Sequence, residues 1–270
     1  MVMYVPDSQV QQTIIVEARS ALNGVDGCSS VPGFSAGDID PGAKYLLFGQ
    51  YNGTTEFPQQ FGNVICDLSR TRALTIALDW PTEYSQTFSN YISDAQPNAD
   101  DALLALPVWD KGSTDGRSSA ATLRLLQLLR RLRLAGRDIE VTAFIPSVPG
   151  DQNDFEAGIA GQLEAISAKG RLVVALMGSL HATKQEVPDP RNTLPPKMID
   201  PAADRLPKDQ VISIHFESKG GTAWGLGGPH KVPVFGGGQT LWSLYANTIN
   251  GFDGRLFIGG QVTASAPYKQ

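Results

Sequence analysis

The sequence lacks the long apolar stretches that predict a membrane span. No stretch approaches the ~20 consecutive apolar residues needed to cross a bilayer, so we predict no membrane span. Residues 1–7 contain no cationic region followed by an apolar core, and no signal peptide is therefore visible. The location stays open, with a periplasmic or secreted protein slightly favoured over a cytoplasmic one.

The sequence also has little positive charge and little cysteine. Lys and Arg number 22 against 27 for Asp and Glu, which gives a net charge of −5 and a pI near 5.2. Because phosphate backbones are bound by clustered Lys and Arg, this balance argues against nucleic acid and favours a small-molecule or peptide ligand. The two cysteines, Cys28 and Cys66, are compatible with one disulfide or with two reduced thiols.

Three common functional motifs are missing in their working context. Residues 33–37 read Gly-Phe-Ser-Ala-Gly, but turn-forming residues stand where the nucleophile elbow of serine hydrolases needs a strand and a helix. The glycines of residues 225–228 lack the strand-to-helix setting of a dinucleotide-binding fingerprint, and no Walker-type loop is present. The sequence therefore argues against these three kinds of site.

Short apolar runs alternate with segments of helical character. The clearest helix spans residues 119–135, where leucines recur on one face, Ser118 or Ser119 can cap the start and Gly136 suits the end. Alternation of this kind indicates a layered α/β/α fold with a central, largely parallel or mixed sheet, here in a single α/β domain over residues 1–270. The predicted strands are residues 44–49, 74–79, 139–144, 172–177, 211–216 and 255–259.

Two stretches interrupt this alternation. Residues 187–209 contain six prolines and predict an extended loop or a mobile flap. Residues 220–238 contain eight glycines and predict an irregular segment.

Two of the apolar runs are followed by the same short sequence pattern. Residues 45–48 are followed by Gly49 and, three residues later, by Asn52; residues 172–177 are followed by Gly178 and, three residues later, by His181. Loops at the carboxyl ends of parallel strands are where α/β proteins place functional groups. We therefore expect the two segments to converge on one cavity, although they lie more than a hundred positions apart in the chain.

These motifs resemble those of a known protein superfamily. Residues 45–58, YLLFGQYNGTTEFP, resemble the opening motif of the superfamily of erythromycin esterases, TIKI and TraB metalloproteases and ChaN haem-uptake proteins, which reads Gly-Glu-x-His-Gly-Thr after a strand. Further similarity follows in consistent order at residues 115–119, 178–182 and 220–224. The resemblance implies an α/β scaffold with its site at the carboxyl edge of the sheet.

By this resemblance, Gln50, Asn52, Asp79 and His181 are the candidate catalytic residues that surround a reacting water or a metal. Gln50 and Asn52 stand where hydrolytic relatives have Glu and His, and neither amide can accept the proton of a water. Only Asp79 and His181 remain as good metal ligands. We therefore predict an enzyme of the hydrolase type, acting on an ester, lactone or amide, that hydrolyses poorly or not at all.

Three further residues are candidate ligand contacts: Tyr51, Arg117 and Trp224. Arg117 either pairs with Asp115 to fix the turn before the long helix or binds an anionic part of a ligand. Trp224 either stacks on a ligand or covers the core. Tyr51 could ligate haem iron, so the cofactor stays open between none, a divalent metal ion and haem. The alternative functions are a ChaN-like haem or iron carrier, a catalytically silent binding protein and an altered form of an active enzyme.

Four other positions bear on the site. His215 is expected on the less apolar side of its strand, partly exposed, and His230 on a loop surface. Ile145 follows the third strand where relatives often place Asp. The helix after it is expected to begin near Phe155 and Glu156, where relatives often carry Arg before Glu.

Overall fold

The computed structural model describes residues 27–109, 115–189, 197–225, 228–237, 239 and 241–267. In chain order its strands are β1 (Tyr45–Gln50), β2 (Leu74–Pro81), β3 (Ile139–Ile145), β4 (Leu172–Gly178), β5 (Val187–Pro188), β6 (Met198–Ile199), β7 (Val211–Glu217), β8 (Lys219–Gly225), β9 (Gly228–Val234), β10 (Leu241–Ile249) and β11 (Phe252–Phe257). The α-helices are α1 (Glu56–Leu68), α2 (Ser85–Ser93), α3 (Ala99–Leu104), α4 (Ala120–Leu134), α5 (Gln152–Ser167), α6 (Ser179–Ala182) and α7 (Ala202–Arg205).

The central sheet has seven strands in the order β10-β11-β7-β1-β4-β2-β3. All neighbouring pairs are parallel except β10 with β11, which are antiparallel. All six positions of β1 are buried, because β4 and β7 flank it and both faces of the sheet are covered. The predicted α/β fold with a largely parallel sheet is confirmed, and each of the six predicted apolar runs forms a strand of this sheet.

Alternation along the strands sends side chains to two separate cores. Leu46 and Phe48 pack on the side covered by α1, α2 and α4, which we call the first face. Tyr45 and Leu47 pack on the opposite side against α5, α6 and α7, which we call the second face. Gln50 continues the series of Leu46 and Phe48 and therefore lies on the first face at the end of β1.

Helix α4 confirms the clearest helix prediction. Ser119 caps it, with its side chain accepting a hydrogen bond from the backbone N–H of Thr122. Gly136 follows the helix at φ +87°, a left-handed conformation that ends helices and favours glycine. Helix α5 begins at Gln152 with Asp151 as its cap, three residues before the predicted start near Phe155.

The two cysteines form a disulfide. Cys28 and Cys66 are bonded with their Cα atoms 6.0 Å apart, and 38 positions separate them in the chain. Cys66 belongs to α1, so the bond ties the segment that precedes β1 to the helix layer of the first face. Of the two states that the sequence left open, the structure shows the bonded one.

The two stretches expected to be irregular contain more regular structure than their composition indicated. The glycine-rich stretch holds an antiparallel hairpin of β8 and β9, so the expectation of an irregular segment was wrong. Glycine has no side chain and cannot display the alternation by which strands are recognised. In the described part of residues 187–209, β5 pairs with β6, and Ala202, Ala203 and Leu206 are buried against the second face. That this stretch acts as a flap, and that residues 1–270 form one domain, stay predictions.

Across the described ranges, no helix has both the length and the apolar composition that crossing a bilayer requires.

Candidate active site

The carboxyl ends of β1, β4 and β2 lie side by side. Gln50, the last residue of β1, is in register with Gly178, the last residue of β4, and β4 pairs with β2 on its other side. The two repeated sequence patterns therefore lie at the ends of neighbouring strands. The segments that carry Asn52 and His181 start from adjacent strands, but His181 is not among the residues that line the pocket described next, so their meeting in one cavity stays a prediction.

Four of the predicted site residues line one pocket at this edge. Gln50 Nε2 donates a hydrogen bond to Asn52 Oδ1 at 3.0 Å, and Asn52 Nδ2 donates to Asp79 Oδ2 at 3.4 Å. Arg117 Nε lies 3.0 Å from Asp79 Oδ1, outside hydrogen-bond alignment, and forms an ion pair with it. Arg117 Nη1 also contacts Asp115 at 2.9 Å, which is the turn-fixing pair considered for these two residues.

The pocket is small and has apolar walls on its other sides. Its cavity volume of about 20 Å³ is enough for roughly one water molecule. One buried oxygen beside this space, Gln50 Oε1, has no hydrogen-bond donor among the described residues, whereas the neighbouring Asp79 Oδ1 is held by the ion pair with Arg117. Buried acceptors are normally satisfied, so the pocket suits a small hydrogen-bond donor. Pro58, Leu78, Trp80, Leu125 and Leu176 supply the apolar walls.

Two glycines fix the loops around this pocket. Gly53 and Gly116 have φ values of +77° and +80°, and a Cβ at either position would overlap the backbone of Trp224. Trp224 N–H donates to the Gly53 carbonyl at 2.8 Å. The loop after β1, the turn before α4 and strand β8 thus meet in direct backbone contact, which we call the glycine seam.

His181 lies on α6, directly after β4, and is not among the residues that line this pocket. Its Nδ1 is 2.8 and 2.9 Å from the two carboxylate oxygens of Glu156, whose side chain is fully buried. Burial by itself lowers the pKa of His181, but the hydrogen bond and the charge of Glu156, with a further contribution from Asp79, outweigh it. The pKa of His181 is therefore raised above its usual value of 6.5, against a smaller opposing effect of Arg117.

Two predicted ligand contacts lie away from the pocket. The ring of Tyr51 is half-buried, packs against the first core and lies 6.1 Å from the ring of Phe235. Trp224 contributes its backbone to the glycine seam, and its side chain is not part of the pocket wall described above. Any role of these two side chains in binding stays a prediction.

The other two histidines are separate from the pocket. His215 is partly exposed, as expected, and its ring contacts those of Phe235 and Phe252 at 4.9 and 4.7 Å. Its Nδ1 lies 3.9 Å from Glu217. His230 is exposed as predicted, but it lies on β9 and not on a loop.

The donor set does not fit a metal ion. Among the described residues there is no group of three or more His, Cys, Asp or Glu side chains able to hold one. Asp79 is paired with the cationic Arg117, and Nδ1 of His181 is bonded to Glu156. Haem ligation by Tyr51 fits no better, because burial raises the pKa of the phenol above 10.0 and disfavours the tyrosinate ligand.

Glu156 is the site residue to which the sequence reading assigned no role. A pattern pointed to it: Glu156 stands three, four and seven positions before Ile159, Ala160 and Leu163, which form the buried stripe of α5. A carboxylate on an apolar stripe needs a partner. That partner, His181, is 25 positions away and comes close only in the folded chain.

No protein-family model matches the sequence, and no curated protein is significantly similar to it. Solved structures do match. A mutant of the erythromycin esterase EreC in its open conformation gives a TM-score of 0.64 at 9% identity, over 85% of this chain and 93% of that chain. The chain has an erythromycin esterase-like fold. The resemblance inferred from the ordered motifs is confirmed at the level of the fold.

Two further structures extend this likeness over nearly the whole chain. A succinoglycan biosynthesis protein matches with a TM-score of 0.60 at 11% identity, covering 95% of this chain and 98% of that one. A Bacillus cereus protein matches with a TM-score of 0.56 at 11% identity, covering 98% and 100%. At such identities the likeness shows the fold alone.

Proposed function

We propose that the protein is a slow hydrolase of the erythromycin-esterase type, which activates a water molecule against an ester, lactone or amide. The observation that supports this proposal is the unpaired Gln50 Oε1 and the Asp79 carboxylate beside a space of about one water molecule. A water that donates its two hydrogens to these oxygens keeps its lone pairs free for attack.

The proposed reaction uses residues from both faces of the sheet. The water oxygen forms a bond to the carbonyl carbon, and Asp79 accepts the proton that the water loses. His181, protonated on Nε2, donates a proton to the leaving oxygen or nitrogen as its bond to carbon breaks. The products are an acid and an alcohol or amine. The proton on Asp79 then returns to His181 through solvent, which restores the starting state.

The reaction is slow because the pocket has lost proton acceptors. Gln50 can orient a water but cannot take its proton, and Asn52 offers no imidazole. Asp79 is the remaining carboxylate among the described residues of the pocket wall, and it is engaged by Arg117 at 3.0 Å. General-base catalysis contributes ~10²- to 10⁴-fold, and we attribute the expected deficit to these two amides.

The test restores the two acceptors. Gln50→Glu and Asn52→His are made separately and together, and turnover is measured on a panel of esters, lactones and peptides. The double variant is expected to gain ~10²- to 10⁴-fold over the unmodified chain. Metal content is measured in parallel, because the restored carboxylate and imidazole would add two ligands to Asp79.

The matched control adds Asp79→Asn to the double variant and is expected to remove the gain. Rapid turnover by the unmodified chain that persists after Asp79→Asn would contradict the proposal, since the reaction would then occur elsewhere.

A catalytically silent binding protein is the second candidate. The hydrogen bond between Gln50 and Asn52 favours it, because a neutral amide pair can bind a ligand without moving a proton. In that case the double restoration yields no turnover, while members of the same panel still raise the melting temperature. A haem titration is expected to leave the Soret band unshifted, because Tyr51 is poorly suited as an iron ligand.

A further inference from the structure

Glu156 is a buried acid whose two carboxylate oxygens are both hydrogen-bonded by neighbouring groups. Its side chain has no exposed surface. Oε2 accepts a hydrogen bond from the backbone N–H of Ala202 at 3.0 Å, and Oε1 accepts one from Gln152 Nε2 at 2.6 Å. Together with His181 Nδ1, these donors come from three different helices, α5, α6 and α7. The carboxylate is therefore held in a single orientation.

The contact with Glu156 determines which edge of the imidazole faces the end of β4. Because Nδ1 is bonded to the carboxylate, the opposite Cδ2–Nε2 edge turns towards Gly178. A Cβ added to Gly178 would lie 3.3 Å from Cδ2 and 3.7 Å from Nε2. Gly178 is the register partner of Gln50, which lines the pocket. No hydrogen bond to Nε2 is formed within the described part of the chain.

We propose that Glu156 is the positioning residue of His181, which it holds through Nδ1 so that Nε2 is presented to the pocket as the proton-transfer atom. The proposal rests on the hydrolytic function proposed above and names a residue that acts through His181. Glu156 itself touches no substrate.

The charged groups around the imidazole support this assignment. Glu156 on α5 faces it directly, Asp79 at the end of β2 acts from a greater distance, and Arg117 before α4 opposes both. Phe155 packs its ring 5.8 Å from the imidazole and adds no charge. Of these groups, only Glu156 forms a hydrogen bond to the ring, so only its replacement removes the orientation and the charge together.

The first test determines which ring nitrogen of neutral His181 carries the proton in the unmodified protein. The chain has 3 histidines, so a ¹H–¹⁵N correlation spectrum of their rings can be assigned with His215→Gln and His230→Gln. Free neutral imidazoles favour a proton on Nε2. We expect neutral His181 to carry its proton on Nδ1, and a proton on Nε2 would overturn the proposal. This reading needs no variant of Glu156 and no catalytic turnover.

The second test compares Glu156→Gln with Glu164→Gln, an exposed position on the same helix. Glu156→Gln is expected to lower the pKa of His181. Burial lowers this pKa, and the variant removes the negative charge of Glu156 that raises it. In the hydrolytically restored background, kcat is expected to fall at least about tenfold, with KM unchanged. Glu164→Gln is expected to change neither property.

The outcomes separate the two proposals. A titration of His181 that is unchanged by Glu156→Gln would reduce Glu156 to a purely structural role. A shifted titration with no turnover in any variant would support the positioning by Glu156 and would instead contradict the hydrolytic function. If Glu156→Gln fails to fold, the tautomer in the unmodified protein decides.

Discussion

On the first face of the sheet, the polar groups at the carboxyl edge are two amides and an ion pair, whereas on the second face they are a carboxylate and an imidazole. Gln50 and Asn52 hydrogen-bond to each other beside the Asp79–Arg117 pair. Glu156 of α5 and His181 of α6 are hydrogen-bonded to each other. In the proposed reaction the first face would hold and deprotonate the water, and the second face would supply His181, a side chain whose ordinary pKa lies near neutral pH.

The two faces also differ in what holds their helices. The first face is cross-linked by the Cys28–Cys66 disulfide, and the second relies on the buried contacts of Glu156. Each of the following changes acts on one of the two faces.

The largest effect is expected from loss of the disulfide. Replacing Cys28 and Cys66 together by Ser should lower the free energy of unfolding by about 4 kcal/mol, because it releases the loop closed over 38 positions. Urea unfolding measures this loss. The ring signals of His181 should stay unchanged in the folded variant. A shift of those signals would show that the two faces are not independent.

The next effect is expected on the second face. Glu156→Ala leaves the Ala202 N–H and the Gln152 amide without their acceptor and should cost about 3 kcal/mol of unfolding free energy. Urea unfolding again gives the measurement. Glu164→Ala, exposed on the same helix, should stay within about 0.5 kcal/mol of the unmodified chain. A loss of unfolding free energy below about 1 kcal/mol for Glu156→Ala would show that its buried hydrogen bonds contribute little to stability.

A smaller effect is expected from the ion pair of the first face. Arg117→Met leaves Asp79, which is only 4% exposed, without its cation and should cost about 2 kcal/mol. The control is Arg133→Met on α4, where the side chain is 41% exposed and its ion pair is worth little. In a double-mutant cycle with Asp79→Asn, the double variant should lose less than the sum of the single losses. Additive losses would mean that the two side chains do not interact.

The smallest effect is expected from pH. Because the folded-state pKa of His181 is raised, its protonation stabilises the fold fully below about pH 6.5, and this contribution is lost as the pH rises through the folded value. The difference in unfolding free energy between the unmodified chain and His181→Gln should therefore shrink from pH 6 towards pH 9. A constant difference over this range would contradict the assigned direction.

The parallel strands of the central sheet could be predicted from the sequence because they are buried. Leu46, Val173 and Ile76 belong to runs covered on both faces, and such runs are continuously apolar. Strand β10 was missed because it lies at the edge, where most of its side chains are exposed and no apolar run forms. The sequence therefore predicted the parallel part of the sheet and not its antiparallel edge.

The sequence marked candidate site residues mainly at strand ends. Gln50, Asn52 and Asp79 lie at or just beyond the carboxyl ends of buried strands, and the topology brings them together. The ion pair of Arg117 with Asp79 and the hydrogen bond of Glu156 with His181 join residues that lie 38 and 25 positions apart. Such contacts depend on how helices pack on the sheet, and no local pattern encodes them.

The glycine seam has a practical consequence for anyone who redesigns the specificity of this chain. Any side chain at position 53 or 116 would collide with the Trp224 backbone and displace the loop after β1, the turn before α4 or strand β8, so a mutant library should leave both positions unchanged. Pro58 and Leu125, which belong to regular helices, are better sites for diversification. Smaller residues there would enlarge the recess.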